Sequence, residues 1–247
     1  MPTPSFSHCL KNPKIVFSLM TFTKSPSPSF DSIIFDLDGT LWDACSATAA
    51  GWTNGLKLLG INRQISSNQI ASVCGKPYYE CVQTLIPEFS SEFSPEYPSD
   101  FSTQNIQQKI LDSLDVEERK CVQANGGQLY PGVHLGIQEL SKKFQLFIVS
   151  NCQHWYLESF LLHSNLTPFF VDVESYGRTN QPKSENIKQV VSRNKLTSPV
   201  YIGDTPSDQI SASQANVPFI HATYGFGQCN NCISVNSFPH LTKHLTK

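Results

Sequence analysis

The segment Asp31-Ser-Ile-Ile-Phe-Asp36-Leu-Asp38-Gly39-Thr40 constrains this chain more than any other. Its apolar run is continuous rather than alternating, the pattern of a strand covered on both faces in the middle of a parallel sheet. Two carboxylates follow at the strand end, and they would point to the same side if the strand continued. Gly39 permits a tight turn and close approach of backbone amides to an anion. Thr40 can donate a hydroxyl hydrogen bond to a phosphate. Taken alone, the segment also fits an Asp/Gly turn with incidental acids.

Downstream, strands and helices alternate. The patterning predicts strands at Gln145–Ser150, Phe169–Val173, Val200–Ile202 and Pro218–His221. It predicts helices at Ser46–Leu59, Trp155–Asn165, Glu185–Lys195 and Ser207–Ala215, and another ending near Lys143. Such alternation implies crossover connections and a Rossmann-like α/β fold with a parallel sheet. Between the first strand and the Asn125-Gly126-Gly127 break, helical patterns at Ile70–Leu85 and Ile106–Val122 flank a Ser/Pro/Phe-rich loop at 90–103. The expected organisation is a leader at 1–29, a core at 30–43 and 126–247, and a helical cap at 44–125.

In a parallel α/β sheet, ligands bind beyond the carboxyl ends of the strands. Four places there hold suitable polar residues. Asp36 and Asp38 are the first. Ser150 and Asn151 close an apolar strand and offer a hydroxyl and backbone N–H groups to an anion, although Ser-Asn is also a common helix cap. Lys183, before a helix start, is a compact cation for a phosphoryl oxygen; Arg178 and Lys188 are nearby alternatives, and a solvated lysine is the usual fate. Asp204 and Asp208 are the fourth place. Oxygen ligands suit magnesium, with Asp204 placed to hold it and Asp208 a turn later to hold Lys183; helix capping is the plain alternative.

Composition narrows the partners. The 247 residues carry a formal net charge of −2 and 15% charged residues, so no basic field draws the chain to nucleic acid or anionic membrane. The N-terminal apolar run Ile15–Phe22 is too short to span a bilayer. Residues 1–29 lack Asp and Glu, which fits a floppy leader, a start at Met20, or an organellar transit peptide, though they also lack Arg. Eight scattered cysteines in a chain of this length suit reduced thiols in the cytoplasm. Cys229-Asn-Asn-Cys232 is the lone CxxC and reads as a surface loop rather than a zinc or redox site.

Taken in order, Ile33–Leu41, Ser150-Asn151, Lys183 and Tyr201–Asp208 resemble the haloacid dehalogenase-like hydrolase superfamily, over about residues 31–227. With Gly75-Lys76-Pro77 the pattern looks most like its phosphoglycolate-phosphatase and phosphoglucomutase branch. The resemblance implies a mobile helical cap and a phosphoric monoester hydrolase. Asp36 would be the nucleophile and Asp38 the general acid and base. Asp36, the backbone carbonyl of Asp38, and Asp204 would hold Mg2+. Thr40, Ser150, Asn151 and Lys183 would meet the phosphoryl group, with Asp208 in support. An acid at position 38 favours phosphate esters over dehalogenation. The substrate would be a small phosphorylated metabolite, with Lys76 either meeting a substrate anion or standing as a solvated cap lysine. Two alternatives stand beside hydrolysis: a sugar-phosphate mutase and a non-catalytic phosphometabolite-binding protein. The oligomeric state is left open.

Overall fold

The computed structural model describes residues 30–90 and 103–247. The expected leader, and nearly all of the loop expected at 90–103, lie outside these residues. Among the described residues a six-stranded parallel sheet runs β5-β4-β1-β6-β7-β8. Its members are β1 (Ser32–Phe35), β4 (Gln145–Ser150), β5 (Phe170–Ser175), β6 (Pro199–Gly203), β7 (Phe219–Ala222) and β8 (Ile233–Val235). The α/β class expected from alternation is the one observed.

The continuous apolar strands are explained by two-sided cover. Side chains alternate between faces along a strand. Ile33 and Phe35 of β1, Leu146 and Ile148 of β4, and Val200 and Ile202 of β6 enter one core. That core also takes Val133 and Ile137 of α6 (Val133–Leu140), Leu157 and Phe160 of α7 (His154–Ser164), and Phe238 and Leu241 of α11 (Phe238–Thr246). Ile34, Phe147, Val149 and Tyr201 point the other way. They meet Ile187 and Val190 of α9 (Lys183–Arg193) and Ala212 of α10 (Pro206–Gln214).

A short antiparallel ribbon, β2 (Trp42–Asp43) on β3 (Gln128–Leu129), brackets a helical insertion. The insertion comprises α1 (Cys45–Leu58), α2 (Ser67–Val73), α3 (Tyr78–Leu85), α4 (Pro87–Ser90) and α5 (Thr103–Asn125). It has its own apolar cluster, centred on Trp52, Leu56, Ile70, Val82, Ile110 and Leu114. The helical pattern expected over Ile70–Leu85 is therefore two helices. Pro77 caps the second and forces the residue before it out of helical conformation.

The β2–β3 ribbon, β8, α11 and the one-turn α8 (Tyr176–Thr179) were not expected from the sequence. The ribbon strands are two residues long, and the α8 turn four, too short to show a period. Strand β8 is largely exposed, so it has no apolar run to find. No helix among the described residues is long and apolar enough to cross a membrane.

Candidate active site

Asp36 continues the ladder of β1, its backbone N–H donating to the Ile202 carbonyl at 2.8 Å. Ser150 ends β4 and Asp204 follows β6, so three neighbouring strands deliver their carboxyl ends to one place. Lys183 enters from the first turn of α9. Its Nζ donates to Asp36 Oδ1 at 2.8 Å and to Asp208 Oδ1 at 2.6 Å, and all three side chains are at most 3% exposed.

Asp208 is fully engaged. Its second oxygen accepts from the Thr205 hydroxyl at 2.6 Å and from the backbone N–H groups of Thr205 and Asp204 at 2.9 and 3.3 Å. The Thr205 N–H bond, with the Asp208 N–H donating to Thr205 Oγ1 at 3.2 Å, forms a capping box at the start of α10, so the capping role read from the sequence and the holding of Lys183 coexist in one side chain. Asp204 accepts from the Phe226 N–H at 2.7 Å and from the Thr40 hydroxyl at 3.3 Å. Gly39 has φ +81°, and a Cβ there would overlap the Asp204 carboxylate, so the turn after Asp38 requires glycine.

Asp36, Asp204 and Asp208 each place a carboxylate oxygen within 4.8 Å of the others. One buried lysine faces three buried acids. Burial, and then the charge of Asp208, push Asp36 up to about 6 against the pull of Lys183. Burial, followed by Asp208 and Asp36, pushes Asp204 up to about 8. Burial opposes the Lys183 ammonium, but Asp208 and Asp36 outweigh it and hold the group well above its ordinary value. The cluster thus carries more negative charge than its own cation offsets, and its donors are hard oxygens. Both features fit a divalent cation such as magnesium.

Thr40 is fully buried, and its hydroxyl is turned to Asp204 rather than to the cleft. Asn151 donates one side-chain N–H to the Gly75 carbonyl at 2.8 Å, and its other side-chain N–H and its backbone N–H are not committed to that bond. Ser150 and Asn151 line the cleft. The side-chain contacts of Arg178 are with Glu174 and the Val173 carbonyl, and Lys188 pairs with Glu185. Neither joins Asp36. Cys229 and Cys232 are both free, in irregular chain before β8.

Sequence reasoning missed Tyr156. Its hydroxyl donates to Asp38 Oδ1 at 2.6 Å from within α7. Burial pushes Asp38 up to about 7, the Tyr156 bond opposing the rise and Asp36 adding to it. Burial and the charge of Asp38 in turn keep the Tyr156 hydroxyl protonated. No spacing signal marks Tyr156, which reads as one more apolar position of a helix. Above the acids, the cleft spans about 670 Å³ including its open mouth. Thr48, Trp52, Lys76 and Glu118 of the insertion form its far side.

Residues 33–222 match the family model of haloacid dehalogenase-like hydrolases. A phosphoglycolate phosphatase from Rhodobacter capsulatus is 27% identical over 219 residues, covering 86% of this chain and 91% of the relative. Among solved structures, a predicted phosphoglycolate phosphatase from Haemophilus somnus superposes with a TM-score of 0.72 at 18% identity, covering 89% of this chain and 99% of that one. A haloacid dehalogenase-like family protein from Streptococcus pneumoniae gives 0.68 at 21% identity, covering 87% and 98%. These structural likenesses bear on the fold.

Proposed function

The chain belongs to the haloacid dehalogenase-like hydrolases and is a phosphoric monoester hydrolase, and from that premise we propose a magnesium-dependent phosphatase acting through an aspartyl-phosphate on Asp36. The observation that carries this reading is the Lys183 ammonium bridging Asp36 and Asp208 at a junction of three strand ends. Residues 44–125 act as the cap over a core of 30–43 and 126–247. The substrate is a small phosphorylated metabolite, and the enzyme works in the cytoplasm.

Lys183 holds one oxygen of Asp36 and leaves the other for attack at phosphorus. A bond forms from that oxygen to phosphorus as the ester P–O bond breaks. The leaving oxygen takes the proton of Asp38, whose pKa near 7 suits a group that must give and then accept a proton near neutrality. Tyr156 fixes Asp38 Oδ1, so the other carboxyl oxygen is the one that carries the proton. Asp38 then takes a proton from water as the water attacks phosphorus and releases Asp36. The Ser150 hydroxyl, the Asn151 backbone N–H and the Lys183 ammonium stabilise the phosphoryl oxygens.

Asp36, the Asp38 carbonyl and Asp204 would hold magnesium, which when bound neutralises charge on the phosphoryl group. Thr40 serves this site by orienting Asp204, and Asp208 by holding Lys183.

Purified protein should hydrolyse para-nitrophenyl phosphate with magnesium and lose the activity in EDTA. Equal rates in EDTA would sink the metal assignment, and full activity in Asp36→Asn would sink the nucleophile. Phosphoglycolate, from the name of the Rhodobacter capsulatus relative, is the first natural ester to test.

A further inference from the structure

The helical insertion is tied together internally. A Cβ at Gly51 of α1 would overlap the backbone of Glu118 on α5, so these two helices pack backbone to backbone. Buried Glu118 accepts from Trp52 Nε1 at 2.7 Å and from the Thr48 hydroxyl at 3.2 Å, which binds α1 to α5 a second time. Trp52 in turn packs edge-on against Tyr78 of α3. The loop between α2 and α3 is held to the same unit. Cys74 Sγ lies 4.0 Å from Cys45 Sγ of α1, and the Cys81 thiol donates to the Val73 carbonyl at 3.4 Å. Whatever fixes this loop therefore bears on the whole insertion.

One set of hydrogen bonds joining the insertion to the core lies along α5, where the chain leads back to the β2–β3 ribbon. Trp155 Nε1 donates to Asp115 Oδ1 at 2.9 Å, and His163 Nε2 lies 3.0 Å from the Gln123 carbonyl. Another contact is at Gly75, far along the chain from both crossings of the ribbon. Asn151 Nδ2 donates to the Gly75 carbonyl at 2.8 Å. Gly75 has φ +88°, and a Cβ there would stand 3.0 Å from Thr205 Oγ1. The bare backbone of the insertion thus rests on residues that follow β4 and β6. Gly75 and Asn151 both line the cleft, so this bond joins wall to floor beside the acids. Phe226 of the core also packs on the apolar cluster of the insertion, but an apolar contact has no direction with which to fix the loop.

We infer that Asn151 is a positioning residue whose side chain seats the insertion on the catalytic floor through the Gly75 carbonyl, rather than by holding the phosphoryl group. This rests on the phosphatase reading. The bond is directional, buried at its Asn151 end, and placed at the tip of a loop that carries the insertion with it. Glycine at position 75 fits the same role. Only a residue without a Cβ brings a backbone carbonyl this close to the floor, at a φ that other residues rarely adopt. When the bond is made, the wall stands at a fixed distance from Asp36 and Asp38. When it is broken, the wall is held from the α5 side alone among these hydrogen bonds, and the cleft can widen to admit an ester.

The test is a double-variant cycle on kcat/KM for para-nitrophenyl phosphate, using the full chain with magnesium. Asn151→Ala removes the side-chain bond, keeps the backbone N–H, and should lower kcat/KM roughly tenfold. Gly75→Ala sets a Cβ against Thr205 at positive φ, lifts the loop and breaks the same bond, so a loss of similar size is expected. Combined, the two should cost no more than the larger single loss, within about twofold, because both act through one bond. Losses that multiply to roughly a hundredfold overturn the inference, since Asn151 would then act on the phosphoryl group independently of the loop. An unchanged kcat/KM in Asn151→Ala overturns it too. Hydrogen exchange read by mass spectrometry is a measurement apart from turnover. Amides across residues 74–82 should exchange faster in Asn151→Ala than in the wild type, and equal exchange overturns the inference. Should Gly75→Ala fail to fold, exchange in Asn151→Ala decides. It also separates the two levels: if the wild type does not hydrolyse para-nitrophenyl phosphate the phosphatase reading fails, while exchange still reports on the bond.

Discussion

The floor of the cleft is fixed by strand ends, whereas its wall is fixed by two helices pressed together. On the floor, Asp36, Lys183, Asp204 and Asp208 come from three separate segments and are locked by charge. On the wall, Thr48, Trp52 and Glu118 form a small hydrogen-bonded group whose one ionisable member is buried and held by two neutral donors. Charge organises the first and is held off by the second. With magnesium bound as proposed, a floor of this kind would stabilise a developing phosphoryl charge whatever ester delivers it. The contrast can be broken from either side.

The largest effect belongs to the floor. Asp36→Asn removes the proposed nucleophile while keeping its shape and should lower kcat by at least about 10⁴-fold with the fold intact by thermal melting. A loss of less than tenfold would mean the floor does not supply the attacking group. Lys183→Ala comes next. It leaves three buried carboxylates with no cation, and breaking such a buried pair costs about 3–5 kcal/mol. Urea unfolding should show that loss, and added magnesium should recover part of it. An unchanged midpoint would mean that charge does not lock the floor.

Tyr156→Phe probes the junction between the two linings. The ring, packed edge-on against Trp42, keeps its place, and only the hydrogen bond to Asp38 goes. The expected fall in kcat is roughly 10–100-fold with little change in KM, because Asp38 loses the partner that fixes its orientation. A rise in KM at constant kcat would assign Tyr156 to substrate binding instead.

The two linings also differed in how much of them the sequence revealed. The floor was readable because Asp36 follows the visible apolar run Ile33-Ile34-Phe35 and Asp204 follows Val200–Gly203, while Lys183 and Asp208 lie in the first turns of helices downstream of such strands. The layering was readable for the same reason. The wall was not. Glu118 lies in Asp115-Val-Glu-Glu-Arg-Lys120, which has the composition of a solvated helix face, and its burial depends on Gly51 sixty-odd residues earlier. Tyr156 and Thr40 show a related limit. Each was visible as a residue, but the partner of its hydroxyl is set by how α7 and β6 pack against β1.

The smallest predicted effect tests the wall by itself. Glu118 has a pKa of about 8 in the folded chain against 4.5 for a free glutamate. Between those values the folded state binds more protons at this site than the unfolded state does. Its contribution to stability is therefore fully present below about pH 4.5 and is lost as pH rises through about 8. Glu118→Gln cannot ionise, so the stability of the wild type relative to the variant should fall with rising pH. The slope should be on the order of 1 kcal/mol per pH unit between pH 6 and 8. Groups common to both proteins cancel in that difference, and urea unfolding at pH 6, 7 and 8 measures it. A flat difference would mean that Glu118 stays ionised in the folded chain, and the wall would then tolerate charge as the floor does. A falling difference would mean that Glu118 is neutral near pH 7 and that this wall, unlike the floor, is organised without charge.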